Sequence, residues 1–330
     1  MADGARLLSI SEQSAHFLAR DHVGPPAGAV VGEAAWYGGD LLADGSWAEE
    51  LTPNVIAAFE QALVAVAAGG RNPDNLVAED FPLAAIAPTL QRWRETLLHG
   101  RGFLVLRGVP VTQWTPAMQD LFTRALGLQF GHLGLQNPQG DVIGQVRDTG
   151  AAKRDPYARL YATAGEFRFH CDASDLVGLL CVRPAVRGGE SRIASSVTVY
   201  NELHKRRPDL AALLFEPLAL DLRNEHQPGA EAYAALTPCA YADGALHTAY
   251  LSDYFRSAAR HLALPPAHLE LLDLYDAIAA EPGIGLSFFM RPGDVQVLNN
   301  HVALHARTAF EDEPGRERLL LRFLASVDRA

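Results

Sequence analysis

The chain has 330 residues, is 48% hydrophobic and 20% charged, and carries a formal net charge of −11. These values are near those of an average globular protein, and no apolar run approaches the length of a membrane span. The acidic excess is dispersed and no basic block interrupts it, so neither nucleic acid nor an anionic membrane is an expected partner.

The N-terminal MADGARLLSISEQ lacks the apolar centre of a signal peptide. The three cysteines, Cys171, Cys181 and Cys239, show no C-x-x-C spacing, and their odd number argues against a disulfide framework. A reducing cytoplasm is therefore the expected compartment. Lysine occurs only at Lys153 and Lys205, and arginine supplies the other cations. With abundant alanine, that bias reads as the codon usage of a high-GC genome.

In chain order, residues 1–50 are mixed, with Gly-Pro turns and no sustained periodicity. Thr52-Pro53 reads as a cap and first turn of a helix ending at Gly69-Gly70. Leu83, Ile86, Leu90, Trp93 and Leu97 form an apolar stripe at helical spacing, suited to packing on a sheet. The run Gly102 to Gly108, GFLVLRG, predicts a strand buried on both faces. Thr115-Pro116 opens a third helix, expected to close at Gly127. Residues 131–164 are polar and turn-rich, which predicts a long functional loop or lid.

Beyond it lie strand-like runs at Val177 to Arg183 and Glu190 to Ser196, joined by a Gly188-Gly189 turn. Ser195 or Ser196 caps a helix through Val199 and Leu203, and Pro208-Asp209 starts a short one. Asp243-Gly244 marks a hairpin. Pro265 to Ala280 is predicted helical, with Leu269, Leu272, Tyr275 and Ile278 on one side. IGLSFFMR, VQVLN and RLLLRFLASV complete the pattern as strands. No repeat or linker divides the chain. The expected architecture is mainly β with flanking helices, a jelly-roll double sheet over about residues 102–327 with a helical insertion over about 197–282, all in one domain.

The chemistry concentrates in FRFHCDASD, Phe167 to Asp175. In a strand, residues i and i+2 share a face, so His170 and Asp172 project together and Cys171 points away. They can supply two ligands of a 2-His-1-carboxylate iron site. An isolated His-x-Asp is common, about one by chance here, so the third ligand decides. The segment VQVLNNHVALHARTAF offers His301 or His305 for that place. Further on, Arg322 sits among leucines and must face an acid, either a protein aspartate or a ligand carboxylate.

Together FHCD, GGES, LNNHVALHARTAF and the RLLLR of the final strand resemble the taurine dioxygenase and clavaminate synthase superfamily, over about Gly102 to Val327. The resemblance implies a double-stranded β-helix core and a dioxygenase that uses Fe(II), 2-oxoglutarate and O2. It matches His170, Asp172 and His305 to the metal ligands and leaves His301 without a metal role. It matches Arg322 to the arginine that grips the distal carboxylate of 2-oxoglutarate, and Ser191 to a hydroxyl that touches the same co-substrate. The presence of Asp172 argues against the halogenase variant, which lacks that carboxylate. Hydroxylation of a small polar metabolite, with release of succinate and CO2, is the expected reaction. Gln136, Asn137, Tyr161, Glu166, His226 and Arg307 are candidate substrate contacts. The rival readings are a zinc hydrolase built on the same three residues and a jelly-roll protein that only binds small molecules.

Overall fold

A computed structural model describes residues 7–150, 160–223 and 229–328. Helix α1 (Ile10–Leu18) begins at a capping box in which Ser9 accepts from the Glu12 amide and Glu12 accepts from Ser9. That S-x-x-E signal stands in a stretch where sequence periodicity shows nothing. Helix α2 (Gly38–Asp44) and the two-residue β1 (Glu49–Glu50) precede α3 (Pro53–Ala68), whose Thr52 cap and Pro53 are where the sequence puts them. The stripe ending at Leu97 begins as a 3-10 turn over Ala84–Ile86, and α4 proper is Ala87–Leu98. Strand β2 (Phe103–Arg107) follows.

Helix α5 (Pro116–Leu128) runs through Gly127 rather than stopping at it. A Cβ on Gly127 would stand 2.7 Å from a Leu133 methyl and 3.0 Å from the Phe323 ring. Gly127 thus serves close helix–sheet packing, not termination. The predicted long loop is partly sheet. It holds β3 (His132–Leu133) and β4 (Gly144–Val146), while residues 151–159 lie outside the described ones.

Next come β5 (Phe167–His170), β6 (Leu176–Arg183), β7 (Arg187–Gly188) and β8 (Ser191–Ser195). The insertion holds α6 (Ser196–Arg206) and α7 (Pro208–Leu213), then β9 (Leu218–Asp221) and β10 (Tyr233–Leu236). It continues with β11 (Cys239–Ala242), β12 (Ala245–Thr248), α8 (Ser252–Ser257) and α9 (Pro266–Ala280). The insertion therefore carries two β-ribbons as well as helices. In α9 the buried side is Leu271, Leu272, Tyr275 and Ile278, whereas Leu269 is exposed. The chain closes with β13 (Gly285–Phe288), β14 (Val295–Asn299), β15 (Ala303–Arg307), β16 (Phe310–Glu311) and β17 (Leu319–Ser326).

The main sheet runs β1-β2-β14-β6-β17-β3, with β4 also on β17, and the smaller sheet runs β13-β8-β15-β5. Alternation distributes the apolar side chains. Leu104, Leu106, Val295, Val297, Leu321 and Phe323 pack outward under α3, α4 and α5. Phe103, Val105, Val177, Leu298 and Leu320 point inward, against Ile193, Leu286 and Ala303 of the smaller sheet. The outer face of that sheet, with Leu304 of β15, is covered by the insertion through Tyr200, Leu203, Leu272 and Tyr275. Two packed sheets with helices outside each make a jelly-roll core in four layers. Each fully buried side chain of this size contributes roughly 1.5–3 kcal/mol.

Asp175 ties the N-terminal helix to the core. It is 3% exposed, and its carboxylate meets Arg20 at 2.5 Å, His301 at 2.8 Å, His16 at 2.9 Å and the Val327 amide at 2.8 Å. Burial pushes its pKa up, but the His301 hydrogen bond and charge, the Val327 amide and Arg20 outweigh that and leave it at about 2, below its ordinary 3.8. A depressed carboxyl stabilises the fold above its unfolded pKa and loses that contribution as pH falls through the folded value. Asp175→Ala should cost about 3–5 kcal/mol in urea unfolding at neutral pH, because Arg20 and His301 lose their buried counter-charge. The gap to wild type should close as pH falls from 3.8 toward 2. A gap of the same size at every pH would remove the ion pair as its cause.

Candidate active site

Register brings the chemistry together. His305 of β15 lies directly opposite His170 of β5, and on its other side opposite Ile193 of β8. Directly paired residues have Cβ atoms about 4.5–5.5 Å apart, and here the two imidazole centroids are 4.0 Å apart. Asp172 follows His170 by two residues, and its Oδ2 is 3.7 Å from His305 Nε2. His170, Asp172 and His305 each offer a ligand atom within 4.8 Å of the others, and no other such group occurs among the described residues. His301, the alternative third ligand, is instead bound to Asp175 and stacked on Phe17 at 4.4 Å.

Strand β5 ends at His170, short of Asp172, and the motif is held from several sides. His170 Nδ1 donates to the Arg168 carbonyl at 2.8 Å, which leaves Nε2 with its lone pair toward the cluster. Phe167 stacks on the same ring at 3.6 Å. The Asp172 amide donates to Asn300 Oδ1 at 3.1 Å, and the Cys171 amide donates to the Tyr250 carbonyl at 2.8 Å. Cys171 itself points away into the insertion's apolar core, where burial pushes its thiol up to about 12. Burial and then the neighbouring His305 hold His170 down at about 3, and burial lowers His305 as well. Both rings are neutral at pH 7, the protonation state a metal requires.

Facing this row across the core are Gln296 of β14, Leu179 of β6 and Arg322 of β17, which are consecutive cross-strand partners. Arg322 is 6% exposed; its Nε donates to Gln136 Oε1 at 2.9 Å, its Nη1 lies 3.3 Å from Asp172 Oδ1, and its guanidinium stacks on Tyr161 at 4.5 Å. The internal acid foreseen for Arg322 is thus Asp172 itself. Arg318 is 5% exposed, lines the same pocket, and its Nη1 is buried without a hydrogen-bond partner. Arg307, directly opposite Ser191, also faces the pocket, and its Nη2 donates to the carbonyls of Thr163 and Gly165.

Burial, then mutual repulsion with Arg318, pulls Arg307 down to about 9, and burial pulls Arg318 down to about 10. Both stay charged at neutral pH. Three guanidiniums and one carboxylate around one small pocket leave a surplus of positive charge, which suits an anionic ligand.

Of the candidate substrate contacts, Tyr161 and Arg307 line this pocket. Gln136 and Asn137 line an adjoining polar cavity that also contains Tyr161. Asn137 bonds Asp141 and shapes the turn there. Glu166 is exposed and lines neither space. His226 lies outside the described residues. Sequence alone does not mark out Gln296 of this pocket or Asn300 beside Asp172 as site residues. Gln296 had a signal, as the one polar residue inside an otherwise apolar VQVL strand.

Comparison with known proteins gives the same chemistry a context. The family model described as taurine catabolism dioxygenase TauD, TfdA family matches residues 69–324. FR-33289 synthase of Streptomyces rubellomurinus is 29% identical over 307 residues, covering 91% of each chain. An asparagine oxygenase solved with Fe(II), 3-hydroxyasparagine and succinate superposes with a TM-score of 0.68 at 17% identity, covering 86% of this chain and 94% of that one. The non-heme iron oxygenase OrfP, in complex with Fe and alpha-ketoglutaric acid, superposes at 0.62 and 17% identity over 85% and 94% of the two chains.

Proposed function

This chain belongs to the taurine catabolism dioxygenase TauD, TfdA family, and from that premise we propose a residue-level account of its site and a class of substrate. The protein is an Fe(II)- and 2-oxoglutarate-dependent oxygenase acting on a small molecule. The bound metal, 2-oxoglutarate and O2 supply oxidative decarboxylation: one oxygen atom goes to succinate as CO2 leaves, and the other is inserted into a C–H bond of the substrate.

His170, Asp172 and His305 hold the metal in this proposal, with their mutual distances and neutral imidazoles as support. The Arg168 carbonyl and Asn300 orient two of them. Two arginines compete for the distal carboxylate of 2-oxoglutarate. The sequence pattern selects Arg322, but that guanidinium is engaged by Asp172, Gln136 and Tyr161. Arg318 keeps a buried Nη1 without an acceptor, so we assign the carboxylate to Arg318, with Ser191 beside it in the same pocket. Arg322 then positions Asp172 and faces the substrate side with Gln136 and Tyr161.

The substrate is a small polar metabolite, hydroxylated at carbon. The polar lining of the adjoining cavity, with Gln136, Asn137 and Arg147 in it, favours such a molecule over an apolar one. Three buried free thiols suit a reducing cytoplasm. No helix among the described residues is long and apolar enough to cross a membrane.

The observation that carries this reading is the buried His170–Asp172–His305 group set in a surplus of arginine charge. Anaerobic protein given Fe(II) and 2-oxoglutarate and then exposed to O2 is expected to release succinate, including an uncoupled background without substrate. Zinc in place of iron should release none. Hydrolysis with zinc and no succinate with iron would return the site to a zinc hydrolase, and neither product would leave a binding protein.

A further inference from the structure

The proposed active site lies between two further spaces, with each of which it shares lining side chains. Toward Gln136 and Gln145 it meets the polar front cavity at Tyr161, which lines both. On another side it meets a rear cavity of about 260 Å³ at Arg318 and Leu320, which also line both. The rear cavity is bounded by Pro184 and Ala185, by the Gly188-Gly189 turn, and by the 289–292 turn before β14. It shares no lining residue with the front cavity.

We propose that this rear cavity is a second mouth of the active site, through which the dicarboxylate co-substrate enters and succinate leaves, while the front cavity serves the substrate. The inference rests on the oxygenase reading above. Its support is the position of Arg318, a 5% exposed guanidinium that borders both spaces and whose buried Nη1 has no hydrogen-bond partner. A buried cation without an acceptor is costly, and a carboxylate that arrives from either space satisfies it.

Gly189 of the Gly188-Gly189 turn has a φ of +71°, which side chains rarely adopt, and a Cβ there would lie at ordinary contact distance, 3.4 Å from the Ala185 and Phe310 Cβ atoms and 3.6 Å from Arg318 Nε. Arg183, Arg187 and Arg291 are exposed around these turns, each with an acid near it: Glu317 for Arg183, Glu311 for Arg187 at 3.8 Å and Asp294 for Arg291. Reversing two of these charges would leave a strongly acidic rim that slows the entry of a dianion. A separate exit also lets succinate depart while the hydroxylated product still occupies the front.

Stopped-flow binding of 2-oxoglutarate to anaerobic Fe(II) enzyme, followed by the optical change on chelation, tests this without turnover. Ala185→Trp, which fills the rear cavity from its rim, should slow association and succinate release together by about tenfold or more and leave equilibrium affinity nearly unchanged. Arg187→Glu with Arg291→Glu should slow association by about tenfold at low salt, a difference that high salt removes. Gln145→Trp, which narrows the front cavity from an exposed strand position, should leave both rates as in wild type. Wild-type rates in the rear variants, or slowing by Gln145→Trp alone, would overturn the rear mouth while keeping the oxygenase. Should Ala185→Trp fail to fold, the two exposed charge substitutions decide the matter. A wild-type enzyme that binds no 2-oxoglutarate overturns the oxygenase reading itself, and the mouth with it.

Discussion

His170→Ala, Asp172→Ala and His305→Ala are each expected to abolish Fe(II) binding, measured by anaerobic metal titration, while His301→Ala retains it. Losing an outer partner of a ligand typically costs about 10- to 100-fold in metal affinity, so losing a ligand should cost more than that. The contrast between the two histidines is the informative part. They stand four residues apart, yet His305 faces His170 across paired strands, whereas His301 faces Asp175 at 2.8 Å. The His301→Ala variant should pay in stability instead, since its imidazole accounts for one hydrogen bond of a buried carboxylate and the stacking on Phe17. Metal lost in His301→Ala and kept in His305→Ala would overturn the ligand assignment.

The second large effect separates the two arginines. Arg318→Lys keeps the charge and loses the planar fork, so the affinity of the Fe(II) enzyme for 2-oxoglutarate should fall by roughly ten- to a hundredfold, the equivalent of about 1.5–3 kcal/mol. Arg322→Lys should leave that affinity far less changed. Its loss should appear in thermal unfolding, because it gives up the bond to Gln136 at 2.9 Å and the stacking on Tyr161 at 4.5 Å. The reverse pattern would return the distal carboxylate to Arg322, where the sequence pattern first put it. Iron binding serves as the control for Arg318→Lys, whereas Arg322→Lys, which gives up the contact with Asp172 at 3.3 Å, should also weaken it.

Much of this protein is legible in its residues without coordinates. Local signals govern the helix starts: Thr52-Pro53, Thr115-Pro116 and Ser195 all cap where expected, because a cap depends on a few neighbouring atoms. Strands buried on both faces announce themselves as apolar runs, as β2 and β6 do, and in β17 the one charged residue, Arg322, stands out among leucines. The i and i+2 spacing of His170 and Asp172 is likewise local, and it also turns Cys171 away.

Other features belong to the tertiary structure alone. Gly127 looks like a helix stop, yet it is a point of contact with Phe323, almost 200 positions away, and only the packed pair shows why a side chain is excluded. His301 and His305 sit in similar local sequence, and their different fates follow from which strand or helix lies opposite. Arg318 and Arg322 share a strand-like run of leucines. One meets Asp172, Gln136 and Tyr161, and the other is left with a free Nη1 between two cavities. The physical reason is common to all three. Periodicity and capping depend on a side chain's own neighbours in sequence, whereas partner choice and cavity shape depend on register between strands far apart in the chain.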